Sequence, residues 1–226
     1  MIYNSQSGNV FVFILLGVVL FTALAFTVSR GFRGENTNRM SEREITLAAS
    51  DILSYAQRIE RAVATVRGKN VSESDISFEN PVVPGYGHTP AQPAKHQIFN
   101  AAGGGARWVP AQTGANDGSP WVITGETCVV GLGTDAADCS IGTNTTANED
   151  LILMLPNVDT GLCEALNERL NITGPIPADA GTGISTTLYT GDFDNGTEIN
   201  LTPPRRSACF SFGGNNYFFT VLLQRP

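Results

Sequence analysis

Residues 10–28 read VFVFILLGVVLFTALAFTV, an uncharged apolar run close to the start of the chain. At about 1.5 Å per residue, a helix of this length would be about 28 Å long, close to the thickness of a bilayer's hydrocarbon core. Such a helix is apolar on every face, so it does not fit the surface of a soluble domain. We therefore expect residues 1–28 to be a leader-like piece and an apolar or transmembrane helix. This helix would lie in a membrane or pack against other copies of the chain.

Three interpretations of the apolar run remain open. It could be a cleavable signal peptide, an ordinary membrane anchor, or an anchor that becomes the core of a polymer. A signal peptide normally has a basic first region and a shorter apolar core, whereas residues 1–9 contain no Lys or Arg. The sequence therefore favours the polymer core first, the membrane anchor second and the signal peptide last.

A second helix is predicted after a break. Residues 29–40 contain Gly31 and Gly34 and have no apolar face, so we expect a non-helical or stretched segment there. A capping box that begins at Ser41 predicts an amphipathic helix over residues 41–67. The heptad-like spacing of its apolar residues fits a helix that lies on its own domain's sheet. It also fits a helix with a second face toward a neighbouring subunit.

The remaining residues, 68–226, are expected to form one globular domain rich in β-strands. Pro and Gly are frequent over residues 81–120, which predicts long loops. After these loops, short β-type runs alternate with turn residues, and one short helix is expected at residues 160–170. The predicted strands are residues 121–124, 127–130, 151–155, 185–189, 208–212 and 217–223.

These elements predict an α+β fold class. We expect a long N-terminal helix, with an apolar half and an amphipathic half, followed by a small antiparallel β domain with disulfides. The predicted divisions of the chain are residues 1–28, 29–40, 41–67 and 68–226.

The chain has four cysteines, Cys128, Cys139, Cys163 and Cys209. They form no Cys-x-x-Cys motif, which argues against a zinc site. An even number of cysteines after a membrane-targeting segment predicts two disulfides and an oxidising environment. Three pairings are possible. The short loop between the first two cysteines favours pairing Cys128 with Cys139 and Cys163 with Cys209.

The basic residues around the apolar run favour a cytoplasmic location for the C-terminal domain. Arg30, Arg33 and Arg39 follow the run, and no basic residue precedes it. By the positive-inside rule, a chain anchored in this way would keep its C-terminal domain in the cytoplasm. Both orientations stay open, and the cysteines favour the oxidising side.

Residue patterns typical of catalysis are missing from the sequence. His88 and His96 stand in the region rich in Pro and Gly, where we expect solvated loop positions. The chain has neither a phosphate-binding loop nor a Gly-x-Ser-x-Gly nucleophile motif. A net charge of −7 argues against nucleic-acid binding, which rests on clustered Lys and Arg. We therefore expect no enzymatic activity and no nucleic-acid partner.

One segment has the residue types of a calcium site. Asp192, Asp194 and Glu198 place carboxylates around a glycine turn, and calcium is bound by hard oxygen ligands. The alternative is a hairpin turn with Asn195-Gly196 at its tip, which the sequence favours. Apart from this weak possibility of calcium, we expect no cofactor.

The layout of the chain resembles the type IV pilin-like family. The resemblance rests on a short leader that ends in Gly8, the apolar stretch that follows, the amphipathic helix over residues 41–67, and a β domain with disulfides. Cys163 and Cys209 would have the place of the family's C-terminal disulfide loop. The resemblance covers the first 67 residues, and the remainder only as architecture.

The resemblance implies a structural subunit of an extracellular, pilus-like filament. The chain would be inserted in the inner membrane, and assembly machinery would then build it into a helical filament of its own copies on the cell surface. The residues expected at subunit contacts are Val12, Leu16, Val19, Phe21, Ile52 and Ile59. The alternative function is a single-pass, membrane-anchored surface binding module or a minor pseudopilin of a secretion system.

Overall fold

The computed structural model of the chain describes residues 13–21, 40–132, 139, 149–194 and 196–225. The chain divides into two compact units, Met1–Arg39 and Met40–Pro226. Within the described residues, the first unit contains one short helix. The second unit is an α+β domain in which helices pack on a five-stranded sheet.

Helix α1, residues 13–21, is the described helix of the first unit. It is much shorter than the apolar helix that the sequence predicts. None of the helices in the described ranges combines the length and the hydropathy needed to cross a bilayer, so the predicted transmembrane helix is not found among them. Residues 10–12 and 22–28 of the predicted helix, and residues 29–39 of the predicted break, lie outside the described residues.

Helix α2, Glu42–Arg67, starts at the predicted capping box. Ser41 has an extended backbone, with φ −68° and ψ 160°, and its N–H donates to the Glu44 carboxylate at 2.7 Å. The Ser41 hydroxyl accepts in turn from the Glu44 N–H. A capping box pairs N–H groups that only the start of a helix leaves unpaired. α2 is therefore a separate helix, and the prediction of one long N-terminal helix with an apolar and an amphipathic half is wrong.

One face of α2 packs on its own domain. Its buried positions recur every three or four residues, as in an amphipathic helix. They are Ala48, Ala49, Ile52, Tyr55, Ala56, Ile59, Ala62, Val63 and Val66. The exposed face carries charged residues, among them Arg43, Asp51 and Arg58. Because of this polar face, α2 is amphipathic, whereas the predicted apolar half of the N-terminal helix was expected to be apolar on every face.

The sheet has the strand order β3-β1-β2-β5-β4. Helix α3, Thr160–Arg169, follows β2 along the chain, and short 3-10 turns lie at Glu73–Asp75 and Ala94–His96. The strands are β1 (Val122–Val129), β2 (Asp150–Leu155), β3 (Thr197–Ile199), β4 (Ser207–Phe212) and β5 (Asn215–Leu223).

The sheet is mixed, so the prediction of an antiparallel sheet is wrong at one strand pair. β3 runs parallel to β1, with Thr127 opposite Thr197. A parallel pair needs a long connection, and the chain passes through α3 and an extended loop before it reaches β3. Residues 185–189, which were predicted to be a strand, have no regular secondary structure. A strand that was not predicted, β3, begins directly after the turn predicted at Asn195-Gly196.

The two faces of the sheet carry two separate hydrophobic cores. Side chains alternate along β2, so Leu151 and Leu153 belong to the core with α2 and α3, and Ile152 belongs to the other. In that second core Ile152 is joined by Phe210 and Phe219. A strand buried on both faces has a continuous apolar sequence, which accounts for the run LILML in β2.

A disulfide and two hydrogen bonds join helix α3 to Cys209 of the outer strand β4. The disulfide Cys163–Cys209 joins the two elements, with 5.3 Å between the Cα atoms. One turn further along α3, the buried side chain of Asn167 donates to the Cys209 carbonyl oxygen at 2.8 Å. It also accepts from the Cys209 N–H at 2.9 Å. The side-chain amide of Asn167 therefore makes the two backbone hydrogen bonds to Cys209 that a neighbouring strand could otherwise make.

The chain segment 177–183 lies against both outer strands. On β4, the Ser211 N–H donates to the Pro177 carbonyl oxygen at 2.8 Å. On β3, the N–H groups of Thr182 and Gly183 donate to the Glu198 carbonyl oxygen. An open outer strand can pair with another chain. Because one segment occupies positions on both edges, it curls the sheet and covers these pairing sites.

Both disulfides have the pairing that the sequence favours. Cys128–Cys139 closes a short loop with a sequence separation of 11, and Cys163–Cys209 spans a separation of 46. Disulfides form and persist in oxidising compartments. The pairing therefore indicates an extracellular or otherwise oxidising environment.

Candidate functional site

Helix α1 exposes apolar side chains on every side. Its residues other than Gly17 are all large and apolar, and their exposed fractions run from 53% at Leu15 to 75% at Phe21. Burial of one such side chain stabilises by roughly 1.5–3 kcal/mol relative to water. Monomeric proteins seldom leave a contiguous apolar patch in water. The surface of α1 is therefore the first candidate for an interaction site.

Three of the residues predicted at subunit contacts lie on α1 in the structure: Leu16, Val19 and Phe21. Leu16 and Val19 are one turn apart. At about 100° of rotation per residue, Phe21 points to a different side of the helix. These residues therefore do not form a single seam, and the whole circumference of α1 is apolar. Val12 lies outside the described residues.

The other two predicted contact residues, Ile52 and Ile59, are buried within their own domain. They lie seven residues apart on the inner face of α2, in the core that also contains Leu153 and Phe218. These side chains cannot reach a neighbouring subunit while the domain keeps this fold. At these positions the heptad-like spacing reflects packing on the domain's own sheet.

A second candidate site is a cavity of about 350 Å³ beside α2. The aromatic rings of Tyr55 and Trp121 form its floor, with 5.1 Å between the ring centroids. The loop 109–112 forms one wall. This loop is tied to α2 because the Gln112 Nε2 donates to an Asp51 carboxylate oxygen at 2.8 Å.

Burial dominates the electrostatics of the cavity floor. It raises the pKa of Tyr55 to about 12, although the backbone of Val109 and the charge of Arg58 act in the opposite direction. The Val109 amide approaches the Tyr55 hydroxyl without the geometry of a hydrogen bond. The Arg58 guanidinium carbon lies 5.6 Å from the Tyr55 ring centroid, a cation–π distance. The floor is thus neutral at physiological pH, and the lining around it carries one positive charge, on Arg58, and one negative charge, on Asp51.

Tyr86 supports the cavity floor through hydrogen bonds to the backbone at Trp121 and Ile123. Its hydroxyl donates to the Trp121 carbonyl oxygen at 3.3 Å and accepts from the Ile123 N–H at 3.0 Å. Tyr86 is itself buried and contacts Trp108, with 6.1 Å between the ring centroids. The backbone of Trp121 is therefore held at the start of β1.

Sequence reasoning missed this cavity. On α2, Tyr55 and Arg58 have the spacing of ordinary helix neighbours, and the loop 109–112 lies in the region predicted only as long loops. Tertiary packing brings these segments together. The one usable signal is that a tyrosine stands on the apolar side of a helix otherwise rich in alanine.

Of the two histidines expected at solvated positions, His88 is buried and His96 is half-buried. His88 packs against Tyr189, with 6.0 Å between the ring centroids, and its Nε2 has no hydrogen-bond partner among the described residues. Burial lowers its pKa, while the Ile76 backbone and the nearby acidic residues act to raise it. His88 is therefore a buried side chain and not a solvated loop residue.

The three carboxylates of the weak calcium candidate do not form a site. Within the described residues, which include Asp192, Asp194 and Glu198, no three side chains of the metal-binding types are grouped to hold an ion. Glu198 lies in β3, where its backbone pairs with Cys128 of β1. The predicted ligands thus belong partly to a loop and partly to the sheet.

Comparison with known protein families, with characterised proteins and with solved structures finds no match to this chain. The resemblance to type IV pilins therefore stays a prediction. The function has to be inferred from the chain's own geometry.

Proposed function

We propose that this protein is a structural subunit that assembles with copies of itself into an extracellular, pilus-like filament through helix α1. The observation that carries the proposal is the exposure of apolar side chains around the whole of α1. Packing several copies of α1 together would remove these side chains from water. The disulfide-containing domain would then face outward, in the oxidising environment that its cysteines indicate.

The sheet supports assembly through α1 rather than through β-strand pairing. Asn167 and the segment 177–183 occupy backbone positions on the outer strands, where an added strand would have to bind. Polymerisation by sheet extension would require these contacts to break. Helix α1 needs no such rearrangement.

Before assembly, the apolar surface of α1 would need another cover. We propose that the inner membrane supplies it and that assembly machinery transfers each subunit to the filament. Lipid is as apolar as another helix, so the transfer would depend on close packing between helices.

The alternative function is a surface binding module, anchored by its apolar segment or acting as a minor component of a secretion system. The cavity beside α2 is the observation that favours it. Such a module would stay with detergent-soluble membranes, whereas a filament subunit would be sheared from cells as long polymers.

Leu16→Lys tests the proposal, because Leu16 is 57% exposed on α1. An unpaired charge in an apolar helix core costs several kcal/mol, so we expect the variant to form no filaments. Electron microscopy of sheared cell-surface material measures this. Leu47→Lys is the matched control, since Leu47 is 62% exposed on α2, and we expect it to assemble normally. Normal filaments from Leu16→Lys would overturn the proposal.

A further inference from the structure

We propose that the cavity beside α2 binds a carboxylate attached to a flat apolar group, either as a free acid or as the end of a peptide chain. All the residues that line the cavity belong to the unit Met40–Pro226. The proposal is therefore independent of assembly through α1. A volume of about 350 Å³ lies within the range of small-molecule pockets.

Arg58 is the cation in the lining that can bind an anion. Arg58 is exposed and forms no ion pair with any described residue, and its contact is the face of the Tyr55 ring. The acidic residue of the lining, Asp51, already accepts a hydrogen bond from Gln112. The guanidinium of Arg58 can thus form two parallel N–H···O bonds with a carboxylate.

Two of the residues that line the cavity each carry a buried polar atom without a partner. Tyr55 Oη and Trp121 Nε1 have no hydrogen-bond partner in the described part of the chain. The indole N–H can only donate, and a buried donor left unpaired costs about 1–3 kcal/mol. An acceptor oxygen in the cavity would offset this cost after a small movement of the loop 109–112. A carboxylate could therefore accept from the indole N–H as well as from the Arg58 guanidinium.

The remaining lining selects the apolar part of the ligand. Ala48 and Ile52 on α2 face the cavity from one side, and Val109, Pro110 and Ala111 face it from the other. Together with the two aromatic rings, these side chains leave an apolar space for a ring or a flat side chain. A carboxylate bound at Arg58 would direct such a group inward.

Titration of the full-length chain in detergent micelles, without assembly, tests the proposal with sodium benzoate as the probe. The protein has two tryptophans, so the ¹⁵N-labelled chain gives two indole N–H signals. We expect a saturable shift of the Trp121 signal and a much smaller shift at Trp108. Benzamide, which has the same ring without the charge, should bind at least tenfold more weakly.

Arg58→Gln and Arg61→Gln form a matched pair of variants on α2. Arg61 is exposed, donates to the Gln57 carbonyl oxygen at 3.2 Å, and does not line the cavity. We expect Arg58→Gln to weaken benzoate binding at least tenfold and Arg61→Gln to change it less than twofold. Ala111→Phe, which fills the cavity without adding an indole, should abolish the shift while both indole signals stay dispersed.

The source of the carboxylate is resolved by a second probe, an acetylated alanyl-phenylalanine with a free C-terminus. Tighter binding than benzoate, lost when that C-terminus is amidated, assigns a peptide end. Weaker binding than benzoate assigns a free acid. The proposal is overturned if neither acid gives a saturable shift up to about 10 mM, or if both arginine variants bind equally well. Because the chain is unassembled in micelles, a failure of the filament proposal leaves these outcomes unchanged.

Discussion

At the scale of single residues, burial controls the protonation of Asp150 at the start of β2. Its carboxylate accepts hydrogen bonds from the Val129 N–H at 3.1 Å and from the Arg225 N–H at 3.2 Å. Burial nevertheless raises its pKa to about 6, against an ordinary value of 3.8, and these bonds offset burial only in part. The folded protein therefore holds this proton more tightly than the unfolded chain does.

The raised pKa of Asp150 predicts a loss of stability as the pH rises. Its contribution to the free energy of unfolding is present below about pH 4 and is lost as the pH rises through 6. The loss should be on the order of 3 kcal/mol between pH 4 and pH 7. Asp150→Asn keeps one acceptor oxygen and does not titrate. We therefore expect the free energy of unfolding of this variant to lack this decline with pH.

Urea unfolding at several pH values measures this difference. Glu164→Gln, on the exposed side of α3, is the control and should follow the unsubstituted protein. If Asp150→Asn declines in parallel with the unsubstituted protein, another group carries the pH dependence.

At the scale of elements, α3 stabilises the outer strand β4 through two contacts with one residue. The disulfide at Cys209 joins the elements covalently, and the Asn167 amide pairs with both backbone groups of the same residue. A buried backbone group left unpaired costs about 1–3 kcal/mol. The hydrogen bonds of Asn167 therefore matter even when the disulfide is intact.

Asn167→Ala should lower the free energy of unfolding by about 2–4 kcal/mol with the disulfide in place, because two buried groups lose their partner. Chemical denaturation of the oxidised protein measures the change. Glu164→Ala on the same helix is exposed and should shift stability by less than about 0.5 kcal/mol. A similar small shift for Asn167→Ala would mean that the backbone of Cys209 finds other partners.

Elements with local signals could be predicted from the sequence, and those that depend on distant segments could not. The capping box at Ser41 and the Cys128–Cys139 pair are local, and the structure contains both. β3 was missed because it is only three residues long and its pairing partner is β1, far away in the sequence. The cavity was missed for the same reason, since Trp121 reaches Tyr55 only through the fold.

At the scale of the whole molecule, the protein combines a helix whose apolar side chains are exposed with a domain whose large apolar side chains are mostly buried. Two cores fill the two faces of the sheet, and both disulfides constrain it. The outer strands are covered at the positions that α3 and the segment 177–183 occupy. Self-association is therefore expected to depend on α1, and the folded domain is expected to stay intact in the assembly.

Photo-cross-linking from position 16 tests this central claim most directly. A benzophenone amino acid replaces Leu16 in cells that are moved from ¹⁵N to ¹⁴N medium during expression, so that both labelled forms are present, and mass spectrometry maps the cross-linked peptides. We expect isotopically mixed cross-links between residue 16 and the apolar segment of another copy. The same probe at Leu47 is expected to give no such product. Cross-links from residue 16 only to lipid, or only within one chain, would contradict assembly through α1.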